Sequence, residues 1–308
     1  MSVASRFPMP HPNGWYCVAL SDDVPAQGVH KITALGRELV AWRGSDGVAH
    51  VADAYCPHLG AHLGVGGVVV DNTLQCPFHG WRFGGDGACV DAPYAKNTPK
   101  CSLGTWSVAE GCGGIFVWYH AFGEAPDDEI PVLPEWGSSS WTKPRRRSWS
   151  VRSHAQEMAE NAVDSAHFLY VHGTLGVPTI ALDKDSERVF HVVNTARTRR
   201  FGRTFNTTID IRIHGPGVSV IRFKEIAEVL LVAFTTPIDD ERVTQRFAFI
   251  AKKDGNPLLR AIVSSVFIKE VARQFEQDTP IWENKKHLVK PILCDGDGPI
   301  WTFRKWYQ

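Results

Sequence analysis

The sequence predicts an α+β chain of two successive units, a small antiparallel β domain followed by an antiparallel sheet packed by helices. Three observations predict it. Short runs rich in valine and aromatics alternate with turn signals over the first third of the chain. A stretch rich in proline, acid and serine follows, and after it come further alternating segments flanked by stretches of helical spacing. At 308 residues, 44% of them hydrophobic, the chain is long enough for two ordinary cores.

Taken in order, Trp15 to about Tyr119 contains strand-like runs at Gly28–Ala34, Glu38–Trp42 and Ile115–Tyr119, separated by turns such as Gly44-Ser45-Asp46-Gly47 and Gly84-Gly85-Asp86-Gly87. The first domain is therefore expected at residues 12–121. No apolar period survives through Pro126-Asp127-Asp128-Glu129 and Gly137-Ser138-Ser139-Ser140, so residues 122–149 are expected to be a linker. Its closing run Lys143-Pro144-Arg145-Arg146-Arg147 reads as a solvated surface, or as a docking patch for an acidic redox partner. The second domain, residues 150–308, opens with a helical stretch from about His154 to Leu169. Strands follow at Val189–Asn194, Thr204–Ile213, Val218–Phe223, Val229–Thr235 and Arg242–Ile250. A long helix over about Leu258–Lys286, interrupted by Pro280, comes last.

Composition excludes several classes. With 33 basic and 33 acidic residues no global field draws the chain to nucleic acid or to an anionic membrane. No apolar run reaches membrane-spanning length, so no integral membrane segment is expected. No apolar segment follows Arg6 as a secretory signal requires, which makes the cytoplasm the expected location. The seven cysteines, an odd number without regular spacing, do not form a disulfide framework and suggest metal ligands instead.

The sharpest motif is Cys56-Pro57-His58 followed, after seventeen residues, by Cys76-Pro77-Phe78-His79. Each loop offers one thiolate and one imidazole, the ligand set of a Rieske [2Fe-2S] cluster, in which two histidines replace two cysteines on one iron. The same residue types could also hold a tetrahedral zinc, but zinc modules usually pair cysteine with cysteine and histidine with histidine. His62 is expected to pack behind the site, Trp81 to shield it, and glycines 60, 64, 66, 67 and 80 to bring backbone N–H groups toward the cluster sulfurs.

The second constellation lies in Glu160-Asn161-Ala162-Val163-Asp164-Ser165-Ala166-His167, with His172 five residues on. Asn161, Asp164 and His167 recur every three residues, as on one helix face, and His172 joins them only if the helix ends or bulges near Leu169–Val171. Two imidazoles and one carboxylate would leave open positions on Fe(II) for O2. Asp278 is the first candidate for that carboxylate, with Glu276 and Glu283 as alternatives.

With these residues in hand the chain resembles the α-subunits of Rieske-type oxygenases over nearly its whole length. It most resembles the branch of 3-ketosteroid 9α-hydroxylases and cholesterol 7-desaturases. The branch resemblance is carried by Pro12-Asn13-Gly14-Trp15-Tyr16, Asp53-Ala54-Tyr55-Cys56 through His62-Leu63, Gly296-Asp297-Gly298-Pro299-Ile300 and Phe303-Arg304-Lys305-Trp306-Tyr307. The resemblance implies a helix-grip catalytic domain and a ring of three subunits in which the cluster of one chain lies next to the iron of its neighbour. It also implies that Asp164 bridges His79 of one chain and His167 of the next, carrying the electron, and Asn161, which matches the same motif, is with Asp164 a candidate catalytic residue.

The expected activity is that of a terminal monooxygenase. It would take electrons from a separate NAD(P)H-dependent reductase, with or without an intervening ferredoxin, and use O2 to hydroxylate or desaturate a hydrophobic, steroid-like substrate. Gly64-Val65-Gly66-Gly67 and Gly111-Cys112-Gly113-Gly114 lack the spacing of a dinucleotide site, so the reductase is expected to be another chain. An aromatic-ring dioxygenase shares every metal residue. A Rieske electron-transfer protein and a zinc-stabilised interaction module are the more distant alternatives.

Overall fold

The computed structural model describes residues 5–183, 187–200, 203–224, 228–254 and 257–307. Two compact units divide the chain, one made of Asn13–Pro131 and one of Val132–Gln308 together with Met1–Pro12.

The smaller unit carries ten short strands: β1 (Gly14–Leu20), β2 (Val29–Ala34), β3 (Arg37–Arg43), β4 (Ala49–Asp53), β5 (Val68–Val70), β6 (Thr73–Gln75), β7 (Arg82–Phe83), β8 (Cys89–Asp91), β9 (Val108–Gly111) and β10 (Gly114–Tyr119). They form three antiparallel sheets ordered β1-β10-β9, β2-β3-β4 and β5-β6-β7-β8. Leu39, Val40, Ala41 and Trp42 on β3 are all fully buried, so that strand has core on both faces. One side joins Tyr16, Val51 and Ile115, the other Leu63, Leu74 and Phe83. The second of these cores lies directly under the cysteine loops, because Cys56 and Cys76 are part of it.

Among the described residues of the larger unit seven antiparallel strands follow one another: β11 (Arg145–Val151), β12 (Thr179–Asp183), β13 (Val189–Arg200), β14 (Arg203–His214), β15 (Val218–Lys224), β16 (Glu228–Asp239) and β17 (Arg242–Ala251). Their order across the sheet is β11-β17-β16-β15-β14-β13-β12. Residues 145–149, expected at the end of the linker, thus belong to an edge strand. The basic run conceals an alternation that puts Arg145, Arg147, Trp149 and Val151 on one face, where Trp149 packs on Phe247 and Phe275 and Arg145 donates to the Ser265 hydroxyl at 2.8 Å.

The described residues include four α-helices, α1 (Ala155–Glu160), α2 (Ala166–Tyr170), α3 (Pro257–Asn284) and α4 (Ile300–Tyr307). Ile268, Ala272, Phe275 and Trp282 recur at helical spacing along α3 and press on the sheet, and Asp278 lies on that same stripe. The helix runs through Pro280 without interruption. The proline stands one turn from its end and removes a single N–H, while the Asn284 side chain donates to the Pro280 carbonyl at 2.8 Å. No helix among the described residues is long and apolar enough to cross a membrane.

The single helix expected over His154–Leu169 is instead two short ones. Asn161 caps α1, and the Asp164 carboxylate accepts from the His167 backbone N–H at 3.3 Å, a local bond that competes with continued helix. Helix α4 holds α1 in place from behind through a buried ion pair. The Arg304 guanidinium donates to both carboxylate oxygens of Glu160, at 2.5 and 2.9 Å, and to the Leu288 carbonyl. Arg304→Met would strand a carboxylate that is only 6% exposed. It is expected to destabilise the larger unit by about 3–5 kcal/mol, and a fall in the urea midpoint checks this.

Candidate metal centres and cavity

The two cysteine loops are built alike. In each, the carbonyl of the cysteine accepts the N–H of the glycine four residues on, Gly60 to Cys56 at 2.9 Å and Gly80 to Cys76 at 3.1 Å. The cysteine N–H in turn donates to the carbonyl five residues on, that of Ala61 or of Trp81. Both turns close through a positive φ, +74° at Gly60 and +73° at Gly80, which explains glycine at those two positions. These glycine N–H groups, expected to approach sulfur, are spent on closing the turns, and that of Gly64 goes to the His62 ring.

The turns set the thiols of Cys56 and Cys76 against each other and the rings of His58 and His79 edge to face, 4.8 Å between centroids. A thiol pair beside an imidazole pair suits two irons, one held by each pair.

Burial, with Cys76 beside it, pushes the Cys56 thiol up to about 11, so this thiolate needs a cation to form at neutral pH. His79 Nδ1 is buried without a hydrogen-bond partner, as a ring nitrogen reserved for a metal would be. Trp81 stacks on His58 at 4.4 Å and donates to the Tyr94 hydroxyl, covering the site as expected. His62, within 3.3 Å of Glu38 and accepting from Gly64, braces the first loop and is no part of the ligand set.

In the larger unit the reactive side chains of His167, His172 and Asp278 gather with their ligand atoms within 4.8 Å of one another. Asp278 Oδ2 is 3.4 Å from His172 Nε2, and the two rings stand nearly perpendicular, 5.1 Å apart. The alternatives are placed elsewhere: Glu276 faces solvent and Glu283 accepts from the Arg152 backbone. Asn161, at the end of α1, bridges the group, with Nδ2 3.2 Å from both His167 Nε2 and Asp278 Oδ2.

Each imidazole is steered through its other nitrogen. His167 Nδ1 meets the Asp164 backbone carbonyl at 2.6 Å, and His172 Nδ1 meets Gln277 Oε1 at 3.2 Å. Sequence reasoning missed Gln277, whose one signal is its place next to Asp278. The Asp164 carboxylate lies 3.8 Å from His167 Nδ1 and is 37% exposed, so it is the backbone of Asp164 that orients this ring. Burial raises the affinity of that carboxyl for a proton, but the contacts from His167 outweigh it and leave the group below its ordinary value.

These residues close one end of a cavity of about 990 Å³, counting its open mouth. Its walls are mostly hydrocarbon from the sheet and α3, among them Ile209, Ile221, Leu231, Phe247 and Phe275, with Ser219, Thr235, Gln245 and Gln274 as polar exceptions. That is a lining suited to a largely apolar ligand.

A family model described as the Rieske [2Fe-2S] domain matches residues 14–106, and one described as the 3-ketosteroid 9alpha-hydroxylase C-terminal domain matches residues 117–308. A probable 3-ketosteroid-9-alpha-monooxygenase oxygenase component from Rhodococcus rhodochrous is 33% identical over 98% of this chain and 80% of its own. The cholesterol 7-desaturase of Xenopus laevis is 34% identical over 99% and 73%. Among solved structures, NdmA of Pseudomonas putida CBB5 with caffeine covers 95% of this chain and 89% of its own, at a TM-score of 0.78 and 19% identity. Dicamba monooxygenase, with a TM-score of 0.77 and 18% identity, covers 95% of each chain; both likenesses are of fold.

Proposed function

The chain belongs to the Rieske non-haem iron oxygenases, in the family of the 3-ketosteroid 9α-hydroxylases, and from that membership we propose that it hydroxylates or desaturates a steroid-like substrate. The observation that carries the proposal is the meeting of two imidazoles and a carboxylate at one end of a hydrocarbon-walled cavity. The named relatives act on ketosteroids or cholesterol, and the cavity walls suit a ligand of that kind.

When bound, the cluster supplies single electrons and the mononuclear Fe(II) supplies open positions at which O2 is reduced. Cys56, Cys76, His58 and His79 would hold the first, and His167, His172 and Asp278 the second. Gln277 and the Asp164 carbonyl fix the ring orientations, so that His172 and His167 each present Nε2 to the metal position. Asn161 donates to the Asp278 carboxylate and keeps it turned toward the imidazoles. The apolar walls keep bulk water from the reacting carbon and pack against an apolar skeleton. The half-exposed Asp164 carboxylate would serve the electron path in a ring of three subunits, meeting the cluster ligand His79 of an adjacent chain.

A separate NAD(P)H-dependent reductase, directly or through a ferredoxin, would supply the electrons. The seven cysteines, none of them in a disulfide, suit the reducing cytoplasm. An anaerobic preparation reduced with dithionite is expected to give a Rieske EPR signal with about three irons per chain. With a surrogate reductase it is then expected to oxidise members of a steroid panel. Zinc in place of iron, without that signal, would refute the oxygenase assignment; the signal without steroid turnover would refute the substrate class alone.

A further inference from the structure

We propose that Gln245 is a specificity-determining residue whose side-chain N–H donates a hydrogen bond to a carbonyl oxygen of the substrate. The proposal deepens the steroid reading above and rests on it.

Gln245 lies on β17 among residues whose side chains face α3, between Val243 and Phe247, both of the sheet's main core. It lines the cavity, yet the residue is only 3% exposed. Across the ladder its register partner is Thr235 on β16, whose hydroxyl donates to Gln245 Oε1 at 2.7 Å. That bond holds one end of the amide and leaves the other without a partner. Nε2, a donor, is buried with no partner.

Buried amide nitrogens are nearly always paired, because leaving one bare forfeits its hydration without return. Here the surroundings offer little compensation, since Phe247, Leu231 and Phe275 are hydrocarbon. An acceptor brought in by the ligand would complete the amide. A ketone does so with no proton of its own to place. A hydroxyl in the same position adds a donor that needs an acceptor, and a bare hydrocarbon leaves the amide unpaired.

The test is equilibrium binding to the holoenzyme of three probes sharing one skeleton: androstane-3,17-dione, the corresponding diol and androstane itself. Tryptophan fluorescence provides the readout, because Trp282 lines the cavity. The wild type is expected to bind the dione most tightly and the hydrocarbon least. Gln245→Met, close in length but without the N–H, is expected to weaken the dione about fivefold to tenfold while leaving androstane within about twofold. Thr235→Val keeps the amide but frees its anchored end, and is expected to show a smaller loss with the same order of ligands.

Equal weakening of all three probes would overturn the proposal in favour of a packing role. So would unchanged dione binding in both variants. If the wild type binds none of the probes, the steroid reading itself fails and takes this proposal with it; that failure shows in the wild type and not in the variants.

Discussion

Replacement of His167 by alanine is expected to lower the iron content from about three to about two per chain and to leave the cluster's EPR signal unchanged. His167 and its partners Asp164, Asn161 and Asp278 all belong to the larger unit, whereas the four cluster residues belong to the smaller one. The two centres are therefore loaded by separate pieces of structure. Turnover should fall by more than about 100-fold, since losing a residue that merely orients a metal ligand already costs 10–100-fold. Iron analysis with EPR on the same sample checks both halves. Loss of the cluster along with the third iron would mean that the two sites are not independent and that His167 has another task.

Asp164→Ala should behave in the opposite way, keeping all the iron and losing coupled turnover. The structure makes this a clean experiment, because the group that orients His167 is the Asp164 backbone carbonyl at 2.6 Å, which alanine retains. What the substitution removes is the half-exposed carboxylate and its 3.3 Å bond to the His167 N–H, a local capping contact worth about 1 kcal/mol. Reoxidation of the reduced cluster by O2 with substrate present should slow by about 100-fold or more, the scale on which loss of a supporting contact at a metal site is felt. A variant that reoxidises and turns over at the wild-type rate would remove Asp164 from the electron path.

The difference between these two residues also marks what was legible in the sequence. Metal ligands have short, chemically distinctive spacings, so Cys56-x-His58 and Cys76-x-x-His79 stand out, and the weaker signal of the His167/His172 pair gains its weight from them. The five strands after Val189 were readable for a similar reason, since alternation is a local property. Contacts made across the fold leave no such trace. Nothing near Gln277 announces that it meets a ring 105 residues away, and Glu160 and Arg304 are separated by 144 residues.

Where the reading went astray, a local feature was outweighed by a distant one. The arginines of residues 145–147 look like surface, but Trp149 finds Phe275 and draws the segment into the sheet. The three-residue spacing of Asn161, Asp164 and His167 looks like one helix. Asparagine and aspartate end α1 there, and the break aims Asn161 and His167 at Asp278 from two different directions.

The pairing of His172 with Asp278 has a mechanical side as well. One ion held by both would staple together two points separated by about a hundred residues of chain, a loop whose closure is entropically costly when the chain is unfolded. The tie runs between α3, which packs on the sheet, and the short helix α2 with the turn after it, a helix that buries none of its residues. Iron would thus act as a clasp on a helix with little hold of its own. Its departure should show first as faster amide exchange across residues 166–172, with the strands still protected.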